Sequence, residues 1–159
     1  MAEVTTLPAL LQRREQWRRQ GRQVVLTNGV FDLLHVGHLR SLQAARALGD
    51  LLIVAVNGDA SARALKGPER PIVPASERAE LLAGLACVDF VVVFDEPTAE
   101  AAVAALQPDV YVKGGDYDAG GKELPEAAIV ERYGGRVVLA PLVEGLSSTN
   151  LIARIRGTG

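Results

Sequence analysis

The chain has 159 residues, 48% of them apolar and 4% aromatic, with a formal charge of −2. That is enough for one compact domain with a real core, and the charge excludes a global attraction to nucleic acid or an acidic membrane, so any anion must be held by a local group of Lys and Arg. Cys87 is the single cysteine, which excludes an intrachain disulfide and reads as a buried thiol. The opening MAEVTTLPALLQRREQWRRQG has no signal-type apolar core, and no uninterrupted apolar run nears the roughly 20 residues of a membrane span, so a cytoplasmic protein is expected. Residues 1–20 read as an Arg-rich helical extension packed on the outside of a domain covering residues 21–159. The first strand is predicted at Val24 to Leu26. A helix follows with Leu39, Leu42, Ala45 and Leu48 on one face, ending at Gly49. The second strand is Leu51 to Val56; a loop broken by Gly67, Pro68, Pro71 and Pro74 comes next, then a helix from Arg78 to Leu85 behind Ser76. Phe90 to Phe94 is the third strand, and a helix from Ala99 to Leu106 starts behind Thr98. Val110 to Val112 gives the fourth strand, Pro125 to Tyr133 a helix stopped by Gly134 and Gly135, Val137 to Leu139 the fifth strand, and a last helix follows Ser148.

Strands alternating with helices predict an α/β fold: one Rossmann-like domain with a five-stranded parallel sheet, right-handed crossovers and helices on both faces. Ligands of such a sheet gather beyond the carboxyl ends of its strands, so the segments just after strands carry the functional signal.

The strongest of these is TNGVFDLLHVGHLRSL, Thr27 to Leu42, which leaves the first strand and enters the first helix. His35, Gly37 and His38 form the pattern H-x-G-H. A helix start offers free N–H groups and the positive end of its dipole, and two imidazoles there add donors that follow charge as it develops on a phosphoryl group. Gly37 and Gly29 remove a Cβ where the backbone must turn tightly or approach a nucleotide. The bland alternative is two packed core histidines. Their spacing around a glycine at the first βα junction weighs against it, and no third ligand or H-E-x-x-H pattern supports zinc.

Other segments divide between structural and functional readings. Asp32 either orders its loop by accepting backbone N–H bonds or lies near substrate phosphate or metal. Asn57, Gly58, Asp59 and Ser61 follow the second strand, where Asp59 or Ser61 caps the next helix or meets the acceptor. Lys66, Arg70 and Arg78 are solvated surface cations or anion ligands, and Arg78 has the further option of pairing with an acidic neighbour. Gly115, Gly120, Gly121 and Lys122 do not align with G-x-x-x-x-G-K-[ST], so no P-loop is read, and Gly121 and Lys122 fall in a loop. NGVFDLLHVGH stands where G-x-G-x-x-G would follow the first strand, which argues against an NAD enzyme. Ser147, Ser148 and Thr149 form at least a helix cap.

TNGVFDLLHVGH, LKGPERPIVPASER, VKGGDY and EGLSSTN, in this order, resemble the cytidylyltransferase-like nucleotidyltransferases over Val24 to Ile155. Within them the chain looks closest to the heptose 1-phosphate adenylyltransferase domain of ADP-heptose synthesis; Leu146 and Ser148 depart mildly from that pattern. The resemblance implies that His35 and His38 contact the nucleotide phosphates and stabilise the transition state at the α-phosphorus, with Lys66 as a further catalytic cation. It implies a nucleotide site of Thr27, Asn28, Gly29, Val30, Phe31, Gly37, Lys113, Gly114, Asp116, Ser147, Ser148 and Thr149. Asp32, Asn57, Asp59 and Arg78 would bind substrate. It further implies ATP with Mg²⁺ held mainly through phosphates, a sugar-phosphate acceptor, a possible homodimer and a separate sugar kinase upstream. The rival readings are a glycerol 3-phosphate cytidylyltransferase using CTP and a nucleotide-binding module without turnover. Residue chemistry supports the reaction class, because an anionic sugar phosphate attacks in line without a general base and needs only positioning and neutralisation.

Overall fold

The computed structural model describes residues 2–114, 124–140 and 146–157. In chain order the elements are β1 (Glu3–Thr5), α1 (Leu7–Arg19), β2 (Val24–Gly29), α2 (Val36–Arg46), β3 (Leu51–Asn57), α3 (Asp59–Lys66), α4 (Ala75–Ala83) and β4 (Phe90–Phe94). They continue through α5 (Glu100–Leu106), β5 (Val110–Lys113), α6 (Pro125–Arg132), β6 (Arg136–Leu139) and α7 (Ser148–Ile155). Every strand pairing is parallel, in the order β1-β4-β3-β2-β5-β6. The chain builds outward from β2 through β3 to β4, then returns to the other side of β2 for β5 and β6. The topological switch point therefore lies between β2 and β5, where adjacent loops diverge and leave a crevice.

Two expectations need correction. The sheet has six strands among the described residues, not five, because Glu3–Thr5 pairs in parallel with Phe90 to Val92. Three residues are too short to display an alternating pattern, and the strand ends at Thr5, directly before Thr6, whose side chain caps α1. The segment after β3 is also not wholly loop: Asp59–Lys66 is a helix, and Lys66 is its last residue.

Apart from the exposed Val93 of β4, the apolar runs of β2 to β5 are buried on both faces, as a sheet covered by helices requires. Val24, Leu26, Ile53, Ala55 and Tyr111 face one core with Leu10 and Trp17 of α1, Val103 and Leu106 of α5, and Val130 of α6. Val25, Leu52, Val54 and Val112 face the other with Leu42 and Ala45 of α2 and Ala79 and Leu82 of α4. Cys87 is half-buried against this second core, and burial pushes its thiol pKa up. Trp17 lies 5.1 Å from the Phe90 ring. Arg14 of α1 donates to the carbonyls of Leu106 and Gln107 and pairs with Asp109, whose carboxylate also accepts the Val24 N–H. The first twenty residues thus supply a strand, core side chains and a polar clamp on the amino-terminal edge of the sheet.

Candidate active site

At the carboxyl ends of the strands, over the switch point, lies a cavity of about 590 Å³. Its floor is Thr27, Asn28 and Gly29 from the end of β2 with Val112 and Lys113 from β5. The Thr27 hydroxyl donates to the Val112 carbonyl at 2.8 Å, tying the two strands together where they would otherwise part. Asn28 is held by the phenol of Tyr111, a side chain otherwise buried in the core. The amide oxygen of Asn28 takes that bond, which leaves its N–H₂ group as a donor.

The histidine element forms one wall. α2 starts at Val36 with His35 as its N-cap, and two reciprocal bonds complete the cap: His35 Nδ1 accepts the Gly37 N–H at 3.1 Å, and His38 Nδ1 accepts the His35 N–H at 3.3 Å. The rings stack with centroids 3.8 Å apart. Since each Nδ1 accepts a backbone proton, the neutral tautomer of each ring carries its hydrogen on Nε2. Burial lowers the His35 pKa; burial, reinforced by His35, lowers that of His38 to about 4. At neutral pH the pair is two uncharged Nε2–H donors. His35 Nε2 is buried without a hydrogen-bond partner, so its donor is unspent. Gly37 is required by this arrangement itself, since a Cβ there would lie 2.8 Å from His35 Cε1. A Cβ at Gly29 would likewise meet the Phe31 ring at 2.9 Å, and Phe31, in a left-handed conformation, packs its ring 5.4 Å from His38.

α7 forms the opposite wall. Ser147 caps it by accepting the Asn150 N–H at 2.9 Å, and the Ser148 hydroxyl donates to the Leu33 carbonyl at 3.0 Å. Ser147, Ser148 and Thr149 line the cavity, so two helix N-termini border one space.

Lys66, Arg70 and Lys113 bring cations to the same cavity. The Asp32 side chain is wholly buried and accepts the N–H groups of Ile72 and Val73 and the Arg70 Nε at 2.6 Å. Although burial opposes it, these bonds hold the Asp32 pKa below the usual carboxylate range. Of its two readings, Asp32 fulfils the loop-ordering one, and what it offers the cavity is an aimed Arg70 fork. For Arg70 the sequence left solvated cation and anion ligand open, and the bond to Asp32 holds it at this cavity.

Thr27, Asn28, Gly29, Val30, Phe31, Asp32, His35, Gly37, His38, Asn57, Lys66, Lys113, Gly114, Ser147, Ser148 and Thr149 all line this cavity. Arg78 and Asp59 do not. Arg78 is fully buried, with its Nε and Nη groups donating to the carbonyls of Val73, Val30 and Asn57 and to Asp59. Asp59 accepts from Arg78 and from the Ala75 N–H at the start of α4. Both help hold α4 against the ends of β2 and β3; Arg78, expected to touch substrate, is fully buried and its donors are spent on these bonds, whereas Asp59 keeps 45% of its side chain exposed. Asn57 reaches the cavity, and its amide donates to Ser61. Asp116, Gly121 and Lys122 lie outside the described residues. Sequence reasoning gave no site role to Glu126, Thr98 and Phe94, which also line the cavity and come from the start of α6, the turn before α5 and the end of β4, with no recognisable motif.

A family model described as cytidylyltransferase-like matches residues 26–154. The chain is 57% identical over 142 residues to the bifunctional protein HldE of Syntrophotalea carbinolica, covering 87% of this chain and 28% of that protein. It is 52% identical over 155 residues to the bifunctional protein HldE of Geotalea uraniireducens, covering 98% of this chain and 31% of that one. The chain thus spans less than a third of the length of these curated relatives. Among solved structures, a lipopolysaccharide core biosynthesis protein from Thermoplasma volcanium superimposes with a TM-score of 0.66 and 29% identity, covering 78% of this chain and all of that one. Pantothenate synthetase from Thermus thermophilus shares the fold, with a TM-score of 0.59 and 20% identity over 95% of this chain and 67% of that one. No helix among the described residues is long and apolar enough to cross a membrane.

Proposed function

The chain belongs to the cytidylyltransferase-like nucleotidyltransferases, and on that footing we propose that it transfers AMP from ATP to a sugar phosphate, heptose 1-phosphate first among candidates, releasing pyrophosphate. The observation that carries the reaction class is the stacked, neutral histidine pair with both Nδ1 atoms satisfied by backbone and both Nε2–H groups left as donors. An acceptor phosphate oxygen forms a bond to the α-phosphorus as the bond to the pyrophosphate oxygen breaks on the opposite side. The acceptor is already an anion, so no proton has to be removed from it. The histidine donors meet charge growing on the α-phosphoryl oxygens, and the α7 N-terminus with Lys66, Arg70 and Lys113 receives the departing diphosphate.

Mg²⁺ would enter with the nucleotide, offsetting triphosphate charge as part of the substrate. The described residues do not fit a metal held by the protein itself: they contain no group of three His, Cys, Asp or Glu side chains placed to hold one, and Asp32 is saturated by its loop. No step is assigned to such a site.

The heptose acceptor and the adenine base rest on the four ordered motifs and on the extent of likeness to the HldE proteins. The proposal places a sugar kinase reaction upstream, as one route by which a sugar 1-phosphate is made. The deciding assay measures pyrophosphate release with ATP and with CTP, each against heptose 1-phosphate and glycerol 3-phosphate. Turnover with ATP and the heptose phosphate is expected; turnover only with CTP and glycerol 3-phosphate would replace this reading. Failure of labelled pyrophosphate to exchange into ATP or CTP in the presence of either acceptor would leave a binding module.

A further inference from the structure

Only two carboxylates line the cavity among the described residues, and they differ in what is left over for a ligand. Asp32 has its oxygens engaged by a loop and by Arg70. Glu126, on the first turn of α6, is 4% exposed, and its one hydrogen bond among the described residues is from the Ala99 N–H, at 3.3 Å to Oε1. That bond caps α5. The capping role needs one oxygen and leaves Oε2 as an acceptor in a space shared with Asn57, Phe94 and Thr98.

A carboxylate in a cavity built for phosphates is a costly choice unless it faces a part of the ligand that is not phosphate. It repels anions and accepts hydrogen bonds only, so its natural partners are hydroxyl donors. The His35–His38 pair and the α2 and α7 N-termini border the cavity, and so do Thr98 ahead of α5 and Glu126 at the start of α6, two helices that pack on the opposite face of the sheet from α2.

We propose that Glu126 is a specificity-determining residue that accepts hydrogen bonds from vicinal hydroxyls of a sugar ring in the ligand and, by repelling phosphate, fixes which way round that ligand lies. The proposal rests on the nucleotidyl-transfer reading above. Two sugar rings supply this chemistry, the ribose of the nucleotide and the acceptor sugar, and the experiment separates them.

Glu126→Gln keeps an amide oxygen to cap α5 and replaces the second acceptor with a donor; Glu126→Ala removes both. Calorimetry gives the Kd of ATP, of 2′-deoxy-ATP and of the sugar phosphate for each protein, and thermal melts report the fold. Losing hydrogen bonds to a charged acceptor weakens binding by about 10- to 100-fold. Glu126→Gln should show that loss for one hydroxyl-bearing ligand with its Tm near that of the unaltered protein. If the ribose is the partner, ATP weakens and 2′-deoxy-ATP, already lacking a donor, weakens less. If the acceptor is the partner, the sugar phosphate weakens and both nucleotides hold. Unchanged Kd values for ATP and sugar phosphate in Glu126→Gln would overturn the proposal and leave Glu126 a helix cap, as would a uniform loss that tracks a fall in Tm. Binding is read without turnover, so absence of AMP transfer by the unaltered protein would sink the activity proposed above while these Kd values still decide the role of Glu126.

Discussion

The neutrality of His38 follows from where its ring sits: under Phe31, against His35, with its Nδ1 bound to backbone. Removing either ring removes a donor aimed at a developing oxyanion, which costs turnover about 10²- to 10³-fold when one such donor is lost. His35→Ala and His38→Ala should each show that fall in kcat with the circular dichroism of the fold retained; near-normal kcat in both would refute the assigned role. The same burial makes the fold sensitive to acid. An unfolded imidazole titrates near 6.5, whereas the folded His38 takes a proton only near 4, so between those values the unfolded chain binds more protons. The contribution of His38 is fully present above about pH 6.5 and declines as pH falls toward 4. Thermal melts across that window should show Tm falling more steeply in the unaltered protein than in His38→Asn, which keeps an acceptor for the His35 N–H but cannot titrate. Parallel slopes would show that this ring is not the sensor.

Among the elements, α4 is the one whose anchoring was least visible beforehand. Its Arg78 reaches carbonyls 5, 21 and 48 residues away, contacts that no local pattern encodes. Sequence reading set anion binding beside pairing with an acidic neighbour, and the pair formed with Asp59 is the second of these. Arg78→Met should destabilise the protein by about 3–5 kcal/mol, because it strips three carbonyls and Asp59 of a shared buried partner. Urea denaturation checks this, and a loss below about 1 kcal/mol would mean that water replaces the guanidinium. Arg78→Lys should recover little, since one ammonium cannot span four acceptors. The histidine element was legible for the opposite reason: its cap, its glycine and its donors all lie within His35 to His38, so chemistry and sequence spacing coincide. α3 was signalled only by the capping candidates Asp59 and Ser61, because its buried side chains are Ser61 and Ala62, too small and polar to mark an apolar stripe. The caps were misread by one residue in places, as with Ser147 rather than Ser148 at α7, where consecutive hydroxyls compete for one role.

For the whole molecule, the parallel α/β architecture was readable from buried β-branched runs spaced by helices, and the sheet edge was not. β1 and α1 belong to the same packed body as the rest, through the pairing with β4 and through Leu10 and Trp17 in a core shared with β2, β3 and β5. Trp17 is the sole tryptophan, which makes this directly measurable. Urea unfolding followed by Trp17 fluorescence and by far-ultraviolet circular dichroism should give one coincident transition. A fluorescence change that precedes the loss of helix signal would show residues 1–20 behaving as a separate appendage. Trp17→Ala should lower stability by about 3–5 kcal/mol, the usual cost of truncating a buried aromatic.

The bond from Ser148 to the Leu33 carbonyl joins positions 115 residues apart. A nascent chain emerging from the ribosome would carry both imidazoles, and most of the sheet beneath them, well before the segment that faces them had been translated. Capture of nucleotide by the growing polypeptide is therefore disfavoured until Ser148 and its neighbours have been made, and ligand affinity should arise in one step at that point rather than accumulate as the chain lengthens.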